Sequence, residues 1–157
     1  MSRLSAGLAN EAATLAERVV TLGTGTTTLD PAKHANRTLI VPAGAVPITI
    51  NLPHATGSGD VYKFLLNAAQ TSGSIIINAP ATPSSNKFVG RVVQRTSASL
   101  VVVFASTTND IFTINGTTQG GVTAGDYVVF QDTATAQWLV LESSFTTSGA
   151  QATPFSG

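Results

Sequence analysis

Between residues 38 and 143 apolar and polar positions alternate with a period of two, in short runs cut by turn-forming residues. Ile48-Thr49-Ile50-Asn51-Leu52 is the clearest run: every second side chain is apolar, the mark of a strand with one buried face. Thr38 to Val41, Val61 to Asn67, Ser74 to Asn78, Lys87 to Gln94, Leu100 to Ala105 and Ile111 to Asn115 read the same way. Pro42-Ala43-Gly44, Gly57-Ser58-Gly59-Asp60, Ser72-Gly73, Pro80 to Asn86 and Thr107 to Asp110 supply the turns between them. Asp126 to Asp132 and Gln137 to Ser143 form the arms of a predicted hairpin closed around Thr133-Ala134-Thr135-Ala136. The pattern predicts an all-β body, an antiparallel β-sandwich or barrel of jelly-roll-like type. It should hold at least seven strands and no helix inside residues 37–143.

The N-terminus has a different period. Leu4, Leu8, Leu15 and Val19 recur at helical spacing among alanines, which predicts a short helix over residues 4–20, weakened by Gly7. Such a stripe either docks on the body or reaches a partner chain as an arm. Leu4, Leu8, Leu15 and Val19 are therefore the candidate partner-binding residues. Gly23 to Thr28 reads as a flexible joint. The expected organisation is an arm and joint over 1–26, a β-rich body over 27–145, and an extended tail over 146–157. Phe155 is that tail's one anchor.

Composition sharpens this picture. Only 10% of the 157 residues are charged and 23 are threonine, so the polar faces are hydroxyls and amides. Threonine, valine and isoleucine are stiff at χ1 and suit a pleated surface. A threonine-rich face lies against a neighbour without the desolvation cost of Lys or Glu. The formal net charge is zero, which removes self-repulsion and favours assembly. Clustered Lys and Arg of the nucleic-acid-binding kind are not evident in the chain, and no run of 18 apolar residues predicts a membrane span. Glu11 and Glu17 interrupt what would have to be the apolar core of a signal peptide, so synthesis and use in a cytosol are expected.

Candidate chemistry is sparse. Without cysteine there is no thiolate, disulfide or Cys-type zinc site. His34 and His54 lack a partner at metal-ligand spacing and read as ordinary hydrogen-bonding histidines. Asp60, Asp110, Asp126 and Asp132 flank strands, where Asx side chains satisfy turn backbone. Gly23-Thr24-Gly25 is no dinucleotide fingerprint and Gly57-Ser58-Gly59 no nucleophile elbow. Asn36-Arg37-Thr38 and Asn115-Gly116-Thr117 match a glycosylation sequon, a motif without meaning unless the chain is secreted. Asn115-Gly116 reads as a tight turn. Tyr62, Phe64, Phe112, Tyr127, Phe130 and Trp138 fall inside strands and read as core rather than a sugar platform. No catalytic residue, cofactor or metal site is expected.

Three segments carry a resemblance. They are Thr28-Leu29-Asp30-Pro31-Ala32-Lys33-His34-Ala35-Asn36-Arg37-Thr38-Leu39, then Ile50 to Phe64 with its Leu52-Pro53-His54-Ala55-Thr56-Gly57-Ser58-Gly59 core, then Ile114 to Gly121 with Gly125-Asp126-Tyr127-Val128, Trp138-Leu139-Val140 and Ala152-Thr153-Pro154-Phe155. In order and spacing they resemble the head decoration, or capsid cement, proteins of tailed bacteriophages from about residue 27 onward. His54 departs from the pattern, where the family carries a small residue, and the N-terminal arm lies outside it. The resemblance implies a non-catalytic β-rich trimer made in the host bacterial cytoplasm. It would sit on the virion's capsid surface and bridge major capsid protein subunits against internal genome pressure. The alternative is a phage fibre or knob binding a host receptor or glycan, and an enzyme is a distant third. A cement protein buries nearly all its aromatics, whereas a glycan-binding knob exposes two or three.

Overall fold

The computed structural model describes residues 18–82, 85–96, 100–104 and 108–157. In chain order its elements are β1 (Val19–Thr21), β2 (Gly25–Thr28), α1 (Pro31–His34), β3 (Arg37–Val41), β4 (Ile48–Asn51), β5 (Val61–Leu66) and β6 (Ile75–Asn78). There follow β7 (Lys87–Arg95), β8 (Leu100–Phe104), β9 (Ile111–Ile114), β10 (Tyr127–Ala134), β11 (Gln137–Thr146) and β12 (Phe155–Ser156). Each strand expected from the alternation is present within a few residues of its predicted ends. Among the described residues of 37–143 there is no helix.

The strands form a seven-stranded sheet in the order β1-β3-β5-β10-β11-β7-β8 and a five-stranded sheet in the order β12-β9-β6-β4-β2. Neither is purely antiparallel, which corrects the expectation. β1–β3, β3–β5, β2–β4, β4–β6 and β7–β11 are parallel pairs. The cause is alternation: β2, β4 and β6 belong to one sheet while β1, β3 and β5 belong to the other. A chain that changes sheet at every turn returns to the first sheet two strands later, running in its original direction.

Three local readings change as well. The helix expected over 4–20 falls mostly on residues outside those described, but its last turn is strand. Val19, Val20 and Thr21 are three successive β-branched residues, and they pair with Thr38, Leu39 and Ile40. The second half of the expected joint is β2, which lies along β4 from Gly25↔Ile48 to Thr28↔Asn51. Leu22 between them is buried, and its N–H donates to Ile40 O at 2.9 Å. Finally, Asp30-Pro31 starts a single helical turn, with Asp30 Oδ1 accepting from Ala32 N–H at 3.0 Å and Pro31 in the first turn.

The alternation works as expected inside β3, β4, β5, β6 and β9. β5 buries Tyr62, Phe64 and Leu66 and turns Val61, Lys63 and Leu65 outward. Phe88 of β7 and Phe130 of β10 meet Phe112 of β9 at ring-centroid distances of 6.4 and 5.4 Å, so the two sheets share one core. Phe145 and Phe155 close on the same ring at 5.8 and 5.2 Å, and Phe155 anchors the tail as expected. The hairpin turn is tighter than predicted, with β10 and β11 joined through Thr135 and a left-handed Ala136 at φ 62°. At Asn115-Gly116 the turn is obligatory for glycine: φ is +72°, and a Cβ there would run into the Gln70 carbonyl.

Candidate interaction surface

The Thr56-Gly57-Ser58 segment of the resemblance is held by a residue 74 to 76 positions away. Asp132 Oδ2 accepts from Thr56 N–H (2.9 Å), Thr56 Oγ1–H (3.2 Å), Ser58 N–H (3.2 Å) and Ser58 Oγ–H (2.9 Å). Its Oδ1 accepts from Gly57 N–H at 2.6 Å. Burial pushes this carboxyl's pKa up, but the donors from Thr56, Gly57 and Ser58 outweigh it and hold it below the usual carboxylate range. Asp132 does satisfy turn backbone, but the turn belongs to a distant loop. Nothing in the sequence pairs the two, because a lone aspartate in a strand gives no sign of its partner.

Asp126 has the opposite balance. Burial raises its pKa, and the Thr146 and Gly121 N–H donors (2.9 and 3.0 Å, both to Oδ2) offset only part of this. A raised folded-state value means its contribution to stability is present at acid pH and is lost as pH rises through that value. Asp126→Asn keeps an acceptor for both donors and has no charge to desolvate. It is expected to be at least as stable as the parent at pH 7, as checked by denaturant unfolding.

The other candidates have structural partners. His34 Nδ1 lies 2.8 Å from Asp30 N, and His54 Nδ1 lies 2.8 Å from Asn86 Nδ2. Asp60 accepts from Asn36 Nδ2–H at 3.1 Å, and Asp110 pairs with Lys87 at 2.8 Å. Asn115 Oδ1 accepts from the N–H groups of Thr117 and Gln119, both at 2.9 Å, which fixes the Asn-Gly turn. Among the described residues no group of three or more His, Asp or Glu could hold a metal ion. No described helix is long and apolar enough to cross a membrane.

What the body presents outward is a sheet surface. Tyr62, Phe64, Phe88, Phe112, Phe130, Trp138, Phe145 and Phe155 are all buried. Among the aromatics whose side chains are described, only Tyr127 reaches the surface. It lies on the outer face of the large sheet, where Lys63 Nζ sits 5.1 Å from its ring centroid and its hydroxyl donates to Glu142 Oε1 at 2.6 Å. On β11, Leu141 stands at a register shift that pairs Val140 with Phe130 and Glu142 with Val129, and it is 53% exposed. Of the four candidate partner-binding residues, Leu4, Leu8 and Leu15 lie outside the described residues. Val19 is 59% exposed on edge strand β1, while Val20 beside it packs on the core. The sequence singled out Val19 but not Leu141, which only the bulge leaves unpaired.

Comparison with known proteins finds no matching family model, no matching curated protein and no matching solved structure.

Proposed function

We propose that this chain is a virion structural protein that decorates the outer surface of a tailed-phage capsid and stabilises contacts between major capsid subunits. The observation that carries the reading against a receptor-binding knob is the burial of the aromatics. Tyr127, the one surface aromatic among those whose side chains are described, is engaged by Lys63 and Glu142 and makes no stacking platform for a sugar. The low charge and the motif resemblance support it from the sequence side. Two mixed sheets meeting through Phe88, Phe112 and Phe130 support a sandwich body. The body acts as a trimer, and its many modest interfaces add up across the shell.

The test is binding of the purified protein to capsids stripped of decoration, with cryo-EM of the product. Density of this size at subunit junctions is expected, arranged in threes. Glycan-array binding without capsid binding would replace the reading with the knob. A truncation that probes the arm must stop at residue 17, because β1 and buried Leu22 belong to the body. Loss of residues 1–17, or Leu141→Asp, is expected to weaken capsid occupancy at least tenfold while leaving the melting temperature within a few degrees.

A further inference from the structure

The two sheets turn faces of opposite character outward. On the small sheet β2, β4, β6 and β9 present Thr and Asn side chains beside Ile76 and Ile111. The amides there satisfy one another: Asn78 Nδ2–H donates to Asn51 Oδ1 at 3.0 Å, and Asn51 Nδ2–H to Thr28 Oγ1 at 3.4 Å. On the large sheet the pairs Thr21↔Ile40, Ile40↔Leu65 and Leu65↔Tyr127 set one outward row across β1, β3, β5 and β10. A second row runs beside it through Val19↔Thr38, Thr38↔Lys63 and Lys63↔Val129. Leu139 and Leu141 carry the apolar face on to β11. Ile40, Leu65 and Leu139 are half-buried, while Val19 and Leu141 are 59% and 53% exposed. Lys63 and its neighbour on β11, Glu142, are both engaged by Tyr127, so the charges on this face are already partnered.

We propose that residues 1–17 lie across this outer face of the chain's own large sheet, with Leu4, Leu8 and Leu15 set against Ile40, Leu65 and Leu141. The segment ends at Arg18, directly before β1, and β1 is the edge strand from which the face extends. From β1 to β11 is four strand spacings, about 19 Å. Seventeen residues span about 25 Å at the rise of a helix, and more if extended, so the segment reaches Leu141. Its chemistry matches as well. At helical spacing the three leucines form one stripe, and the segment's charges are confined to Arg3, Glu11 and Glu17. An apolar patch that faces water is unusual on a soluble surface and marks a place where something docks. Because the segment is tethered beside the face, its effective concentration there is about millimolar, which favours it over a free ligand. The contact is independent of any capsid, and it makes loss of residues 1–17 and Leu141→Asp two ways of breaking one interaction.

The chain has no cysteine, so Ala9→Cys gives the full-length protein a single site for a nitroxide spin label. The readout is paramagnetic broadening of backbone amides in the isotope-labelled protein. Broadening is expected at Ile40, Leu65 and Leu141, with Thr49 and Thr113 on the opposite face left sharp. Adding Leu8→Asp and Leu15→Asp should reduce it about tenfold, because a carboxylate is costly to bury without a partner. A sample refolded from an equal mixture of spin-labelled, isotope-free chain and isotope-labelled, spin-free chain separates a chain's own segment from a neighbour's. There the broadening is expected to vanish. Its persistence in the mixed sample would overturn the proposal in favour of docking on a neighbouring copy. Sharp outer-face amides in the labelled full chain, broadening centred on Thr49 and Thr113, or undiminished broadening with both aspartates in place would each overturn it outright.

Discussion

Replacing Phe112 with alanine is expected to destabilise the fold by about 3–5 kcal/mol, among the largest effects a single core truncation produces. Its ring is fully buried on β9 and touches Phe88, Phe130, Phe145 and Phe155, which come from β7, β10, β11 and β12. Alanine there would leave a cavity walled by four rings on rigid strands, which cannot collapse to fill it. For a chain of this length the melting temperature should fall by roughly 10 °C or more. Phe112→Leu keeps most of the volume and should cost less than half as much. Thermal unfolding of the two variants checks the order. Equal, small losses would mean that the two sheets do not depend on this ring.

Asp132→Ala is expected to cost roughly 2–4 kcal/mol by leaving backbone and hydroxyl donors of the Thr56–Ser58 loop without their charged acceptor. Asp132→Asn, which retains one acceptor oxygen, should fall between alanine and the parent. The pH dependence follows from the depressed carboxyl. Its stabilisation is fully present above the ordinary carboxylate value near ~3.9 and is lost as pH falls through the lower folded-state value. Denaturant unfolding from pH 7 down to pH 2 should therefore show the parent losing part of its advantage over Asp132→Ala at the acid end. A gap between the two that stays constant with pH would show that the charge on Asp132 is not what holds the loop. The expected collateral effect is local: Gly57 sits at φ +83° in that loop, and its N–H loses its acceptor on Asp132, while the Thr56↔Thr135 bridge and the Gly59 N–H to Asp132 O bond still hold the loop's ends.

Within residues 37–143 the sequence by itself determined which segments are strands and, in the regularly alternating ones, which face is buried. Ile48-Thr49-Ile50 and Tyr62-Lys63-Phe64 bury alternate residues because a pleated strand sends successive side chains to opposite faces. Phe155, isolated in a polar tail, could only be an anchor. The single helical turn at Asp30-Pro31 was not foreseen, because four residues carry no periodicity to announce it. The alanine-rich period predicts helix through Val20, whereas the three β-branched residues Val19, Val20 and Thr21 form strand β1. Only the tertiary structure decided which strands are neighbours. Backbone hydrogen bonds are the same for every residue, so a period of two names a buried face and leaves the adjoining strand open. The parallel pairing of β1 with β3 and of β2 with β4 was invisible for that reason. The same holds for Asp132 reaching the Thr56–Ser58 loop and for Ile40, Leu65 and Tyr127 meeting in one outward row. Each of these sites joins residues that are far apart in the chain and are brought together by strand order alone.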